Sequence, residues 1–162
     1  MIKTWILGVA CALMPLAAMA AGGNRYGGED RGSPLLPAKV NALWQKECSS
    51  CHIAYPPGLL PAASWRSVMS TLDQHFGTDA SVSAQERDEI SAFLVAGASN
   101  RWSASTSPLR ITESQWFKAK HGREIAPEVW QRAAIKTRAN CQACHAGAAQ
   151  GDFNERQVRI PK

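Results

Sequence analysis

Two stretches of the same pattern, CxxCH, constrain this chain more than any other feature of its sequence. They consist of Cys48, Cys51 and His52 in the first copy and Cys141, Cys144 and His145 in the second. Two thiols at this spacing can bond to the two vinyl groups on one porphyrin edge, and the adjacent imidazole can ligate the iron. Each copy therefore predicts one covalently attached haem c with a histidine as its proximal ligand.

The first 20 residues have the features of an export signal. Lys3 supplies the positive start, residues 5–17 are uncharged and mostly apolar, and small residues at 18 and 20 form a cleavage site. The apolar run is shorter than the roughly 20 residues of a membrane-spanning helix, which disfavours a membrane anchor. Lipidation of Cys11 is disfavoured because Gly8 stands where a large aliphatic residue is needed. We expect cleavage between Ala20 and Ala21, and a periplasmic protein with at most peripheral or transient membrane association.

Removal of the signal changes the counts of cysteine and charge. Of five cysteines, Cys11 is lost and the other four all belong to the CxxCH motifs, so none remains for a structural disulfide. Covalent haem can supply the apolar core that a small exported domain otherwise obtains from disulfides. Loss of Lys3 from 18 basic residues leaves 17 against 13 acidic ones, and they are scattered along the chain. A small surplus of scattered basic residues on an exported protein does not favour nucleic acid as a partner. We also expect the protein to be a monomer.

The N-terminal part of the mature chain predicts a leader followed by three helices. Residues 21–36, rich in Gly, Pro and charge, predict a flexible leader, and Pro37 is predicted to begin a helix that runs into the first motif. The prolines of residues 55–61 exclude a helix there. A second helix is predicted from an N-cap at Ser64 to Gly77, and a capping box predicts a third from Ser83 to Gly97. The apolar stripe of the second helix is Trp65, Val68, Met69, Leu72 and Phe76. His75 lies on the flank of this stripe, and we expect it to face the core instead of water.

The remainder predicts a linker and a second helical half. Residues 98–110 are rich in serine and aperiodic, and a capping box at Thr112 predicts a helix that carries Phe117 and His121 and ends at Gly122. Residues 127–135 predict one more short helix, and residues 147–162 a polar tail. No strand pattern of useful length occurs. The predicted fold is all-α, with haem-bearing domains at residues 37–97 and 111–162.

The histidine inventory predicts the second axial ligands. The chain has four histidines, and two lie outside the motifs: His75, 23 positions after His52, and His121, 24 positions before His145. Met69 is the only methionine left after the signal is removed, and it lies in an apolar stripe where a core residue is expected. We therefore expect His52 with His75 at one iron and His145 with His121 at the other, although the sequence also allows crossed pairing.

Two imidazoles and four porphyrin nitrogens fill six coordination positions and leave none for a substrate. Without the thioether that raises the potentials of cytochromes c, both haems should be low-potential one-electron centres. The predicted function is electron transfer, without catalysis. The alternative is a reductase or peroxidase in which one distal ligand can be displaced. A four-thiolate zinc module is a further alternative, but zinc would explain neither His75 nor His121.

Several longer stretches resemble the small exported dihaem cytochrome c family called DHC. They are CSSCHIAYPPGLLPAASWRSVM, LDQHFG, RITESQWFKAKHGREI, ANCQACHAGAAQGDF and VRIP, which span most of residues 47–161. The resemblance implies a class I cytochrome c fold in the N-terminal half, an unusual and irregular helical fold in the C-terminal half, and two close bis-histidine haems. It also implies a membrane b-type cytochrome as electron donor and a small oxygen-binding monohaem cytochrome c as acceptor.

Overall fold

The structure, a computed structural model, describes residues 35–100 and 108–162. The predicted signal peptide, the predicted leader up to residue 34 and residues 101–107 of the predicted linker lie outside the described residues.

Four α-helices carry the described part of the chain. They are α1 (Ala42–Cys48), α2 (Ala62–Ser70), α3 (Ala84–Ala96) and α4 (Gln115–His121). Short 3₁₀ turns connect them, and the described residues contain one isolated β-bridge, between His75 and Thr78, and no strand. The all-α prediction is confirmed. No helix in residues 35–100 or 108–162 is long and apolar enough to cross a membrane.

The largest apolar core lies in the N-terminal half, where α2 packs against α3 and α1 lies against α3. Its fully or nearly buried members are Trp44, Ala54, Leu60, Trp65, Met69, Ile90 and Leu94. The proline-rich stretch before α2 is tied to this core, since the Trp65 indole Nε1 donates to the Pro57 carbonyl oxygen at 2.7 Å. Residues 56, 57 and 59–61 of this stretch are buried, and it contains one 3₁₀ turn at Pro57–Leu59.

The start of α1 lies five residues later than the sequence predicts. Asn41, with an extended backbone, caps the helix by accepting a hydrogen bond from Trp44 N at 2.7 Å, so Pro37 is not a helical residue. An asparagine side chain can accept a hydrogen bond from an unpaired backbone N–H in the first turn of a helix, whereas a proline side chain has no acceptor atom.

The predicted limits of α2 are also wrong. Pro61 precedes the helix, and Ser64 is a buried residue of its first turn instead of the N-cap. The helix stops at Ser70, and a 3₁₀ turn at Leu72–Gln74 follows. Phe76 leaves the predicted apolar stripe as a result, with 44% of its surface exposed.

The capping box of α3 is confirmed. Ser83 Oγ accepts from Glu86 N at 3.3 Å, and Glu86 Oε2 accepts from Ser83 N at 2.9 Å. The helix ends at the predicted glycine, Gly97. It buries Ile90 and Leu94 in the N-terminal core.

The C-terminal half contains α4 and a series of 3₁₀ turns. The N-cap of α4 is Ser114, which accepts from Phe117 N at 3.2 Å, whereas the predicted cap, Thr112, lies within a 3₁₀ turn. Gly122 ends the helix as predicted. The helix predicted over residues 127–135 is a 3₁₀ turn at Pro127–Gln131. Few apolar residues are buried in this half: Phe117, Val129, Ile135 and Ala148.

Within the part of the chain that the structure describes, two side-chain hydrogen bonds join the halves. Tyr55 Oη donates to the Ala139 carbonyl oxygen at 2.7 Å, and Trp116 Nε1 donates to the Leu59 carbonyl oxygen at 3.3 Å. Both halves belong to the same compact unit. The domain boundaries at residues 97 and 111 stay predictions.

Candidate functional site

The first CxxCH motif begins where α1 ends. Cys48 is the last helical residue and is half-buried, whereas Cys51 and His52 are exposed on the turn that follows. The His52 ring is oriented by its own backbone, since Nδ1 donates to the Ile53 carbonyl oxygen at 2.7 Å. This bond leaves Nε2 free to ligate a metal, as is usual for haem and zinc histidines.

His75 lies opposite His52 on an irregular loop. The rings have centroids 6.3 Å apart and an angle of 31° between their planes. The loop is held by hydrogen bonds from His75 N to the Leu72 carbonyl oxygen and from Thr78 N to the His75 carbonyl oxygen. Because its helix ends early, His75 is half-exposed instead of packed against the core as the sequence predicts.

The residue after His75 adopts a backbone conformation that is uncommon for a bulky side chain. Phe76 has a φ of 51°, in the left-handed region, and its ring contacts the His75 ring edge-on at 4.8 Å. The guanidinium of Arg110 lies over the Phe76 ring, with Cζ 4.1 Å from the ring centroid. A cation at this distance attracts the aromatic ring and restrains the loop that carries His75.

The second CxxCH motif forms a 3₁₀ turn at Cys141–Ala143, closed by a hydrogen bond from Cys144 N to the Cys141 carbonyl oxygen at 3.2 Å. His145 N donates to the same oxygen at 2.8 Å. The polar tail returns to this turn, since Arg159 N donates to the Cys144 carbonyl oxygen at 3.0 Å. His145 Nδ1 is buried and has no hydrogen-bond partner among the described residues.

His121 occupies the last turn of α4 and has a more enclosed environment than His75. Its Nδ1 donates to the Phe117 carbonyl oxygen at 3.1 Å, and its ring stacks on the Phe117 ring with centroids 4.1 Å apart. Trp130 lies on another side at 5.9 Å. The predicted i, i+4 neighbours Phe117 and His121 are therefore in contact. The His145 ring centroid is 6.2 Å from that of His121.

Both histidine pairs have the spacing that a metal between them requires. A metal–imidazole nitrogen bond is about 2 Å and each nitrogen lies about 1 Å from its ring centre, so two imidazoles on opposite sides of one metal have centres about 6 Å apart. The observed distances are 6.3 Å for His52 with His75 and 6.2 Å for His121 with His145. The side chains present therefore fit two bis-histidine irons, with the two cysteines of one motif beside each pair.

Burial decreases the proton affinity of three of the four histidines, as metal ligation requires. It lowers the pKa of His75, His121 and His145, which favours the neutral imidazole that binds metal. Burial also raises the pKa of the Cys48 and Cys141 thiols to about 11.

A four-thiolate zinc site receives no support from this geometry. Within residues 35–100 and 108–162, no three His, Cys, Asp or Glu side chains converge as a protein-only metal site would need. Two ligands on opposite sides suit a metal whose remaining ligands come from a porphyrin.

Residues of both motifs line one cavity of about 350 Å³. Its lining includes Cys51 and His52 of the first motif, Gln142 of the second and Ala149 of the turn after it. Tyr55 is stacked on His52, with ring centroids 4.6 Å apart. Burial raises the pKa of Tyr55 to about 12, so that its hydroxyl remains a hydrogen-bond donor.

The family model of dihaem cytochrome c, DHC, matches residues 44–153, which include both motifs and both histidine pairs. The chain belongs to the dihaem cytochrome c family. As a DHC protein it carries two covalently attached haem c groups. A comparison with curated proteins found no match.

Solved structures agree with this assignment. A dihaem cytochrome c from Rhodobacter sphaeroides is 41% identical, with a TM-score of 0.65, over 70% of this chain and 97% of that chain. A second structure, DHC purified from the same organism, is 45% identical, with a TM-score of 0.63, over 71% and 98%. A dihaem cytochrome type c from Shewanella baltica OS155 is 38% identical, with a TM-score of 0.67, over 75% and 93%.

The structure brings the four predicted histidines together in two pairs, and the ligand roles of the eight cysteines and histidines stay predictions. Trp130 is one of several tryptophans for which the sequence allows haem packing but favours the core, and it lies beside His121. Arg110 and the hydroxyl contact of Tyr55 gave no signal, since both depend on long-range contacts.

Proposed function

We propose that this protein is an exported electron carrier in which each iron has two histidine ligands. His52 and His75 ligate the haem bound by Cys48 and Cys51, and His121 and His145 ligate the haem bound by Cys141 and Cys144. The observation that carries the proposal is the pair of ring-centre distances, 6.3 and 6.2 Å, which match opposite ligands on one metal.

This ligand set determines what each haem can do. Haem c supplies one-electron chemistry, and the chain's imidazoles occupy both faces of each ring. The hydrogen bonds from His52 Nδ1 and His121 Nδ1 fix the ring orientation and increase the basicity of the ligating nitrogen. Stronger nitrogen donors and the absence of a thioether favour ferric iron, so both haems are low-potential centres.

The partners follow from the family resemblance. A membrane b-type cytochrome is the donor and a small oxygen-binding monohaem cytochrome c is the acceptor. The periplasm is the compartment, because the N-terminal sequence has the features of a cleavable export signal.

Haem quantification and visible and electron paramagnetic resonance spectra test the ligand assignment. Wild type should bind two haems, both low-spin and six-coordinate, and its reduced spectrum should not change under carbon monoxide. His75→Ala and His121→Ala should each convert one haem, a different one in each variant, to a high-spin form that binds carbon monoxide. Ready carbon monoxide binding by wild type would support the reductase or peroxidase alternative instead.

Met69→Leu is the matched control for the rival ligand. Met69 is 5% exposed in the core, and leucine nearly conserves its volume, so both haems should stay low-spin. Loss of one low-spin signal in Met69→Leu would overturn the histidine assignment.

A further inference from the structure

We propose that Arg110 is a positioning residue that keeps His75 on its iron by covering the aromatic ring of Phe76. The inference rests on the proposed bis-histidine ligation and assigns a role to a residue outside the CxxCH motifs and the histidine pairs. It follows that Arg110 sets the rate at which the N-terminal haem loses its distal ligand, and so how closed that haem is to small molecules.

The His75 ring has less support of its own than other ligands have. His52 and His121 each donate from Nδ1 to a backbone carbonyl oxygen, whereas no hydrogen bond holds the His75 ring within residues 35–100 and 108–162. The loop around it is open to water, since residues 73, 74 and 76–79 are all exposed. Loops with little packing open locally at a low cost in free energy, so the residence of His75 on iron depends on what restrains this loop.

Phe76 connects His75 to that restraint. Its ring meets the His75 ring edge-on, with centroids 4.8 Å apart and an angle of 61° between the planes. The left-handed backbone of Phe76, with a φ of 51°, is unfavourable for a bulky residue and persists only where neighbours fix it. Because 44% of its surface is exposed, burial in the core does not supply this fixation.

Arg110 supplies a contact that does. Its Cζ lies 4.1 Å from the centroid of the Phe76 ring, well within the roughly 6 Å over which a cation attracts an aromatic face. The arginine backbone is fixed, since Glu113 N donates to the Arg110 carbonyl oxygen at 3.0 Å in the 3₁₀ turn before α4. The Glu113 carboxylate lies 3.8 Å from Arg110 Nε. The loop that carries His75 is therefore attached to the turn that leads into α4.

The C-terminal haem site offers a matched comparison. Arg138 Cζ lies 5.4 Å from the centroid of the Trp130 ring, and that ring lies 5.9 Å from the His121 ring. His121 has further support, because it stacks on Phe117 at 4.1 Å and donates to the carbonyl oxygen of the same residue. The same kind of arginine contact should therefore matter little at His121 and much more at His75.

Replacement of histidine by cyanide in the ferric holoprotein tests the proposal. The iron–nitrogen bond breaks and an iron–carbon bond forms, without a change of oxidation state, and at saturating cyanide the rate equals that of histidine dissociation. Arg110→Gln should raise this rate at the N-terminal haem by about two- to fivefold, the value of an exposed cation–aromatic contact. Both haems should stay low-spin before cyanide is added. His75→Ala identifies the cyanide signal of the N-terminal haem.

Three further variants separate this contact from a general effect of charge. Arg110→Lys keeps a cation over the ring and should stay near the wild-type rate, and Arg138→Gln should leave the rate at the C-terminal haem unchanged. Phe76→Leu should raise the rate at the N-terminal haem. Addition of Arg110→Gln to Phe76→Leu should raise it no further, because the arginine then has no ring to cover.

An unchanged rate in Arg110→Gln, or an equally fast rate in Arg110→Lys, would overturn the inference. So would equal increases in Arg110→Gln and Arg138→Gln, or independent effects of the Phe76 and Arg110 substitutions. Failure of the proposed function is distinguishable, because it would be seen in wild type as a high-spin haem or as a rate that rises with cyanide without saturation.

Discussion

The two halves position the proposed iron ligands by different means. The N-terminal half, residues 37–97, has nine buried apolar residues besides its prolines and three α-helices, yet its proposed distal ligand, His75, lies on a half-exposed loop. The C-terminal half, residues 111–162, has four buried apolar residues and one α-helix, yet His121 is enclosed by aromatic rings on that helix. Where the protein core is small, the structure concentrates its aromatic packing around the ligand itself.

The halves also differ in charge. Residues 37–97 carry four basic and six acidic side chains, a net charge of −2, whereas residues 111–162 carry nine basic and five acidic ones, a net charge of +4. Each half binds one haem, so the propionates lower both values equally and the difference remains. The protein is therefore electrostatically polar along the direction from one haem to the other.

Removal of each cysteine pair should have the largest effect and would test the difference in core size. Cys48→Ala with Cys51→Ala, and Cys141→Ala with Cys144→Ala, should each reduce the haem content from two to one. The second variant should lose hydrogen-exchange protection throughout the C-terminal half, because haem supplies most of the core there. The first should keep protection in α2 and α3. Equal loss of protection in both variants would contradict the comparison.

Two glycine substitutions compare the rigidity of the halves. In Gly97→Ala, the new Cβ would lie 2.8 Å from Pro57 Cβ and 2.9 Å from Pro37 Cγ, which cannot move aside. In Gly147→Ala it would lie 2.8 Å from Cβ of Asp152, an exposed residue. Urea unfolding should show a loss of about 1–3 kcal/mol for the first and a smaller loss for the second. The reverse order would show that the N-terminal half is the more adaptable one.

Removal of a serine N-cap from one helix in each half should have a smaller effect on the free energy of unfolding, and the two substitutions are chemically identical. Ser83→Ala removes the cap of α3 and Ser114→Ala that of α4, each at a cost of about 1 kcal/mol in unfolding free energy. Ser114 is 5% exposed and caps the helix that carries His121, so its loss should also change the paramagnetic signal of the C-terminal haem. Ser83→Ala should leave both haem signals unchanged. A changed haem signal in Ser83→Ala alone would argue against this coupling.

The smallest expected effect is the preference of a small charged oxidant for one of the two haems, which depends on the charge difference between the halves. Hexacyanoferrate, an anion, should oxidise the C-terminal haem faster, and hexaammineruthenium, a cation, the N-terminal one. Both preferences should decline as salt is added. Lys136→Gln should reduce the first preference roughly twofold at low salt, with Lys39→Gln as the control from the acidic half. If both oxidants prefer the same haem, the charge difference between the halves does not determine which haem is oxidised faster.

Local signals predicted the parts of the fold that depend on neighbouring residues. The capping box at Ser83, the helix ends at Gly97 and Gly122 and the contact of Phe117 with His121 all involve residues within four positions of each other. The all-α class and the two haem groups were predicted for the same reason, since periodicity and CxxCH are local patterns.

Errors arose where tertiary contacts decide the structure. Ser64 is a good cap in isolation, but it is fully buried and the helix begins before it. Phe76 continues the apolar period of α2, yet Arg110 and His75 give it partners outside the core. The histidine pairing could be proposed from inventory alone, but the distances within each pair depend on a loop whose conformation no local pattern encodes.

The close approach at Gly97 has a consequence for how such a protein can be built. Pro37 at the entrance of the N-terminal half and Gly97 at its exit are neighbours, so the chain enters and leaves this half at one place. A module with adjacent ends can be joined to a different companion without rearranging its interior. If the N-terminal haem unit is bounded by these two residues, as the sequence predicts, both of its chain ends lie at the place where a second redox centre can be joined to it.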